Sequence, residues 1–244
     1  AVLSGCVIGN NMLAPPTGNG YGGGLYASNG AVTMTDCHVK SNTITAVSYS
    51  SGGGIYTVLS PLTLHETTVA RKQCLGGGTR YGGGVYIESG ASALRNCLVV
   101  ENTADSLGGG IQPYAPLTLD NCTLANNGSQ GIRSSTTLTI TNSIIWGHAD
   151  DIRCSGTVNL GYSDIGNGDN VGNNGCISNN PLFVNTNAAD YRLTSKSPCV
   201  DSGTSMVWMA TVRDLDGNKR LDGVRVDMGA FEYAGRKGTL FIVQ

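Results

Sequence analysis

A glycine triplet followed by an apolar residue and a tyrosine recurs along the first half of this chain. Gly22-Gly23-Gly24-Leu25-Tyr26 returns as Gly52-Gly53-Gly54-Ile55-Tyr56 and Gly82-Gly83-Gly84-Val85-Tyr86, and in weaker form as Gly108-Gly109-Gly110-Ile111-Gln112. A second mark keeps step with it at Cys6, Cys37, Thr67, Cys97, Cys122, Ser143 and Ser163, with steps of 31, 30, 30, 25, 21 and 20 residues. A period of this size describes one supersecondary unit stacked on copies of itself, each too small to bury its own apolar face.

Aligned on the Cys/Thr/Ser mark, the copies show the composition of one unit. Three residues before it stand Leu3, Met34, Leu64, Leu94, Leu119, Ile140 and Leu160, and two after it Ile8, Val39, Val69, Val99, Leu124, Ile145 and Ile165. Apolar residues two apart with polar residues between them are the period of a strand buried on one face. The phase breaks between the two groups, so the chain turns a corner there. Asp36, Asn96, Asn121 and Asn142 sit at that break, where short polar side chains bond their own backbone. A polar column follows the second strand at Asn11, Asn42, Lys72, Asn102, Asn127 and His148, placed for bonding from coil to coil. The glycines before Leu25, Ile55 and Val85 make a third face. Three short strands per turn predict an all-β chain, a parallel β-helix of about seven coils over residues 1–180, ~4.8 Å per coil. No segment has a sustained helical period, and 36 glycines would weaken any helix.

Composition narrows the partners. The chain has 244 residues, a net charge of −2 and 13% charged residues, against ~25% in an ordinary soluble domain. Fifteen Lys and Arg without a basic cluster give no electrostatic footprint for nucleic acid. No apolar run reaches the ~20 residues of a membrane-spanning helix. The eight cysteines form two groups. Cys6, Cys37, Cys97 and Cys122 share one inward coil position, as a ladder of buried thiols or as disulfides between neighbouring coils. Cys154 and Cys176, off the ladder in consecutive coils, are expected to form a disulfide, and Cys74 and Cys199 have no evident partner.

Between the polar column and the glycine face, the first three coils insert Met12 to Tyr21, Thr43 to Ser51 and Gln73 to Tyr81, while later coils insert much less. These insertions read as three long loops forming a wall beside the shorter coils, the way a solenoid builds a binding face. Tyr26, Tyr56 and Tyr86 align as an outward column, with Tyr21 and Tyr81 just before the glycines. A row of exposed rings suits stacking on sugars; it equally suits rings stacking on one another.

At Pro181 the repeat ends. Asn180-Pro181-Leu182-Phe183, Asp190-Tyr191-Arg192-Leu193, Ser197-Pro198-Cys199-Val200-Asp201-Ser202-Gly203 and Asp227-Met228-Gly229-Ala230-Phe231-Glu232-Tyr233 make a non-repeating segment over 181–244, expected to cap the last coil. These phrases, with the upstream glycine and Asn-Cys-Thr-Leu motifs, resemble secreted bacterial right-handed β-helix repeat proteins with a choice-of-anchor type ending, and more loosely the polymorphic outer-membrane adhesins. The resemblance spans most of the chain and implies right-handed coiling and an extracellular or cell-surface place, with no reaction attached. Asp214, Asp216, Asn218 and Asp222 have the 1, 3, 5, 9 spacing of an acidic calcium loop, but Arg225 stands where a bidentate glutamate belongs. Either a calcium site or an Asp/Asn/Gly turn paired with arginines fits. Thr239 to Val243 fits either a final strand or a scar.

The function expected from this reading is noncatalytic: adhesion, glycan binding or structural self-assembly. With no capping segment before residue 1, the first coil offers an edge for end-to-end stacking of copies, or marks a processed piece. The alternative is a polysaccharide lyase or glycoside hydrolase. Its best acid pair is Asp36 with Glu66, about one coil apart, followed by a weaker cluster of His148, Asp150, Asp151 and Arg153, read as a solvated turn.

Overall fold

The computed structural model describes residues 1–76, 78–104, 107–168, 171–221 and 225–235. It is a parallel β-helix. One seven-stranded sheet stacks Val2–Ser4, Val32–Thr35, Leu62–His65, Ser92–Arg95, Leu117–Asp120, Leu138–Thr141 and Val158–Gly161. A second stacks Val7–Gly9, His38–Lys40, Thr68–Ala70, Leu98–Val100, Thr123–Ala125, Ile144–Trp146 and Asp164–Ile165. The third, six-stranded, runs from Leu25–Ser28 through Ile55–Val58, Val85–Ile87, Ile111–Pro113 and Gln130–Ser134 to Asp150–Cys154. Register follows the sequence columns: Leu3 pairs with Met34, Met34 with Leu64, and Ile55 with both Leu25 and Val85. The inward columns merge into one core.

The corner between the first two sheets explains the Cys/Thr/Ser mark. Each of these side chains donates to the carbonyl two residues back, as Cys37 to Thr35 (3.2 Å), Thr67 to His65 (2.7 Å), Cys97 to Arg95 (3.1 Å) and Ser143 to Thr141 (2.9 Å). Thiol and hydroxyl interchange there because the position needs a short donor. No disulfide forms among the described residues, so the expected Cys154–Cys176 bridge is absent. Cys176 lies inside the core, and the Cys154 thiol donates to the Thr136 carbonyl at 3.3 Å.

The residue before the mark is left-handed in every coil: Gly5, Asp36, Glu66, Asn96, Asn121, Asn142 and Tyr162 have φ between 48 and 60°. Asparagine and aspartate tolerate that conformation; a longer side chain carries a penalty of about 1–2 kcal/mol. Glu66→Asn should therefore raise stability by roughly 1 kcal/mol, helped by removing a carboxyl that burial and Asp36 both hold above its ordinary pKa. A higher urea midpoint at unchanged slope would show it, and an unchanged midpoint would refute it.

The polar column lies inside the coil and bonds as expected. Asn11 donates its amide N–H and Nδ2 to Asn42 Oδ1, both at 3.0 Å, and Asn102 does the same to Asn127 Oδ1 at 3.1 and 2.8 Å. His148 ends the ladder, fully buried, with Nδ1 2.7 Å from Asp151 Oδ1 and Nε2 3.3 Å from Asn127 Nδ2. The neutral imidazole protonated at Nδ1 satisfies both contacts. The third glycine of each triplet closes over this ladder. A Cβ on Gly24 would stand 2.5 Å from Asn42 Nδ2, and one on Gly84 3.0 Å from Asn102 Nδ2.

Two expectations are corrected. The insertions of the first three coils are strands. Met12–Leu13, Thr43–Ala46, Gln73–Gly76 and Thr103–Ala104 make a fourth parallel sheet, and Gly20–Tyr21, Tyr49–Ser51 and Thr79–Tyr81 a fifth. They carry their own small core of Ile44, Ala46, Cys74 and Ala104. The coils thus narrow from five strands to four, then three, then two.

The second correction concerns the C-terminal segment, which does not simply sit on the last coil. Asn174 to Ile177 lies there, Ile177 bridging Asp164. The segment after Pro181 runs along the flank, over the outward side of the second sheet. Tyr191, Ala230 and Phe231 pack on Leu98, Val100 and Ala125, and Leu193, Cys199 and Met228 on Ile144. The corner asparagines clasp it: Asn96 donates to the Arg213 carbonyl (3.1 Å), Asn121 to Asp227 (3.1 Å) and Asn142 to Thr204 (2.8 Å). Their amides thus reach outward rather than to their own backbone.

Candidate functional site

The outward column of the third sheet is where side-chain chemistry concentrates. Tyr26, Tyr56 and Tyr86 stand in register, their centroids 5.4 and 5.1 Å apart and their planes 6° and 3° from parallel. These three rings therefore cover one another's faces. Tyr56, in the middle, is only 6% exposed, and its hydroxyl donates to Glu88 Oε2. Burial pushes both the Tyr56 and the Tyr86 phenols well above their ordinary range, helped by the Glu88 carboxylate at Tyr56 and by Tyr114 and then Glu88 at Tyr86. Of the two uses read for this column, mutual stacking is the one the central rings display.

Around the stack, other rings lean outward. Tyr21 lies 4.9 Å from Tyr56 at 46°, Tyr81 6.3 Å from Tyr86 at 43°, and Tyr114 5.5 Å from Tyr86 at 46°. Tyr21 and Tyr81 both pair in register with Ser51, so a serine stands between two tyrosines and leaves a hollow. The hollow is an open pocket of about 310 Å³ lined by Tyr21, Tyr49, Ser51, Tyr56, Tyr81, Tyr86, Glu88 and Tyr114. Six of the ten tyrosines of the chain meet there. Four of the five tyrosines read from the sequence line it; Tyr26 continues the stack beyond it. Tyr49 and Tyr114 were missed. Tyr114 lies outside the column, where Gln112 replaces tyrosine; its hydroxyl accepts from Gln112 Nε2 at 2.9 Å and its ring covers the far side of Tyr86. Such a pocket offers ring faces, hydroxyls and one carboxylate, the groups that grip a sugar's apolar face and its hydroxyls.

The remaining candidates lie away from this pocket. Asp214 Oδ1 accepts from the amides of Asp216 (3.0 Å) and Asn218 (2.7 Å), and Oδ2 from Asn218 Nδ2 (3.1 Å) and the Glu232 amide (2.7 Å). Asp214, Asp216 and Asn218 thus share one turn, while Asp222 lies outside the described residues, as do Asp105, Asp169 and Thr239 to Val243. Among the described residues, no group of three or more His, Cys, Asp or Glu side chains is arranged to hold a metal ion. Asp36 and Glu66 occupy successive left-handed corners. The cluster at 148–153 divides: His148 and Asp151 are buried, against the expected solvated turn, and only Asp150 and Arg153 face out.

No protein family, curated protein or solved structure matches the chain. No helix among the described residues is long and apolar enough to cross a membrane.

Proposed function

We propose that this chain is a noncatalytic extracellular or cell-surface β-helix that binds a glycan at the tyrosine pocket. The observation that carries this reading is the convergence of six tyrosines and Glu88 on one open hollow, held by parallel strands on a continuous core. The stacked trio fixes the floor at little cost in side-chain freedom, and the leaning rings of Tyr21, Tyr81 and Tyr114 supply contact faces. The extracellular placement follows the resemblance of the C-terminal phrases and the scarcity of charge.

Ser51→Tyr tests the pocket directly, since it fills the gap between Tyr21 and Tyr81. A glycan array and titration calorimetry on the leading hits should show binding lost in Ser51→Tyr and weakened about tenfold in Tyr114→Ala, both keeping the β-sheet circular dichroism of the parent. Tyr56→Ala, by contrast, should lower stability by about 2 kcal/mol because it empties the middle of the stack. Glycan binding unchanged by Ser51→Tyr would refute the site, and depolymerisation of any glycan would refute the noncatalytic reading.

A further inference from the structure

Beyond Tyr86 the same outward column changes character. Gln112 follows Tyr86, and Ile111 pairs with Ile132, which sets Arg133 in the next coil; Arg133 then pairs directly with Arg153. Two arginines therefore stand in register one coil apart, their backbones ~4.8 Å from each other along the axis. Like charges directly opposite in a sheet are destabilising. Among the described residues little offsets this pair: Arg153 meets the Asp150 carboxylate at 3.9 Å, and Arg133 forms no ion pair. The two arginines line a groove of about 330 Å³ with Gln112, Tyr114 and the serines Ser134, Ser135 and Ser155. Tyr114 is common to this groove and the tyrosine pocket, so the two form one run along the helix axis.

We propose that the Arg133–Arg153 groove is the subsite for an anionic group, a carboxylate or a sulfate, on the glycan whose rings rest in the tyrosine pocket. This inference rests on the glycan-binding reading and adds the substrate class, an acidic polysaccharide lying parallel to the helix axis. The chemistry is specific. Guanidinium groups meet carboxylate or sulfate oxygens with paired N–H donors, and hydroxyls and an amide remain for the neighbouring sugar positions. A neutral glycan would leave the two charges facing each other unrelieved.

The test is calorimetric titration of the full chain with oligogalacturonate, which carries carboxylates, dextran sulfate, which carries sulfates, and neutral dextran. The parent should bind at least one acidic polymer about tenfold or more tighter than dextran, and its affinity should fall with added salt. Whichever polymer binds tighter assigns the anion. Arg133→Gln and Arg153→Gln should each remove most of that preference and flatten the salt dependence. In the absence of glycan, the double variant should unfold at an equal or higher temperature, because the repulsion is gone. Sulfate at fixed ionic strength should raise the melting temperature of the parent by more than that of the double variant, whose rise is only the general effect of an excluded salt. Equal binding of acidic and neutral polymers, with loss in Ser51→Tyr, would overturn the anion subsite and keep the glycan reading. No binding of any glycan would overturn both.

Discussion

Replacing Lys72 by asparagine should stabilise the protein by roughly 4 kcal/mol at pH 7. Lys72 occupies an asparagine position of the internal ladder, is fully buried, and its Nζ has no hydrogen-bond partner among the described residues. Burial, and secondarily Lys40, lowers its pKa from 10.5 to about 7. The amine is therefore harder to protonate in the folded chain than in the unfolded one. Between pH 7 and 10.5 the unfolded state binds the extra proton, so stability climbs with pH across that window by up to ~1.4 kcal/mol per unit. Below pH 7 both states carry the proton and the penalty is complete; above 10.5 neither does and it vanishes. Lys72→Met removes this pH-dependent term alone. Lys72→Asn also rebuilds the ladder, since its Oδ1 would meet the Asn42 amide as Asn42 and Asn127 meet Asn11 and Asn102. Denaturant titrations at pH 7 and pH 10 decide the matter. The gain of Lys72→Met over the parent should shrink toward zero at pH 10, and a gain equal at both values would exclude the titration argument.

Arg220→Met should act in the opposite direction and on a different part of the molecule. Arg220 is fully buried in the C-terminal segment, with Nη1 2.9 Å from Glu232 Oε1 and Nη2 donating to the Gly229 carbonyl. Asp214, Asp227 and Glu232 surround it and oppose the lowering that burial alone would impose on its pKa. Removing one partner of a buried pair costs about 3–5 kcal/mol; burial already raises the Glu232 carboxyl to about 8, so without the guanidinium it must take up a proton to stay inside. That loss should fall on the segment rather than on the coils, whose core lies elsewhere. The expected result is cleavage by a nonspecific protease between residues 181 and 235 with the β-sheet circular dichroism retained. Uncovering Leu98, Val100, Ala125 and Ile144 should also increase binding of a hydrophobic dye. Adding Glu232→Gln to Arg220→Met should recover part of the loss, because no buried carboxyl then has to take up a proton on folding. Loss of all β-structure in Arg220→Met would mean that segment and coils unfold as one unit.

The inward half of this fold is legible in the sequence because burial of one strand face leaves a period of two, and Met34, Leu64 and Leu94 repeat it from coil to coil. The outward half is less so. Leu98, Val100, Ala125, Ile144 and Trp146 are apolar because the C-terminal segment covers them. A pattern sought for one buried face passes over the second. The extra strands of the wide coils escaped for another reason. Each is two to four residues long, and only the stacking of Leu13, Ile44, Cys74 and Ala104 reveals them. At the candidate site, Tyr26, Tyr56 and Tyr86 were visible through register. Tyr49 and Tyr114 were not, since nothing in one chain's order says that a ring two residues off the column will swing back over it. The mutual stacking was equally hidden, because spacing places side chains without orienting their planes.

The narrowing of the coils makes the molecule a staircase, with the tyrosine pocket and the arginine groove meeting at the tread where the wide steps give way to narrow ones. Each step owes its width to its own insertion, while the corners, the ladder and the glycines keep all steps on a common spindle. Moving a strand-length insertion from one step to the next would carry the ledge along the axis by ~4.8 Å and leave the spindle untouched. A fold of this kind can shift what it grips by whole treads, without rebuilding the core that holds the grip.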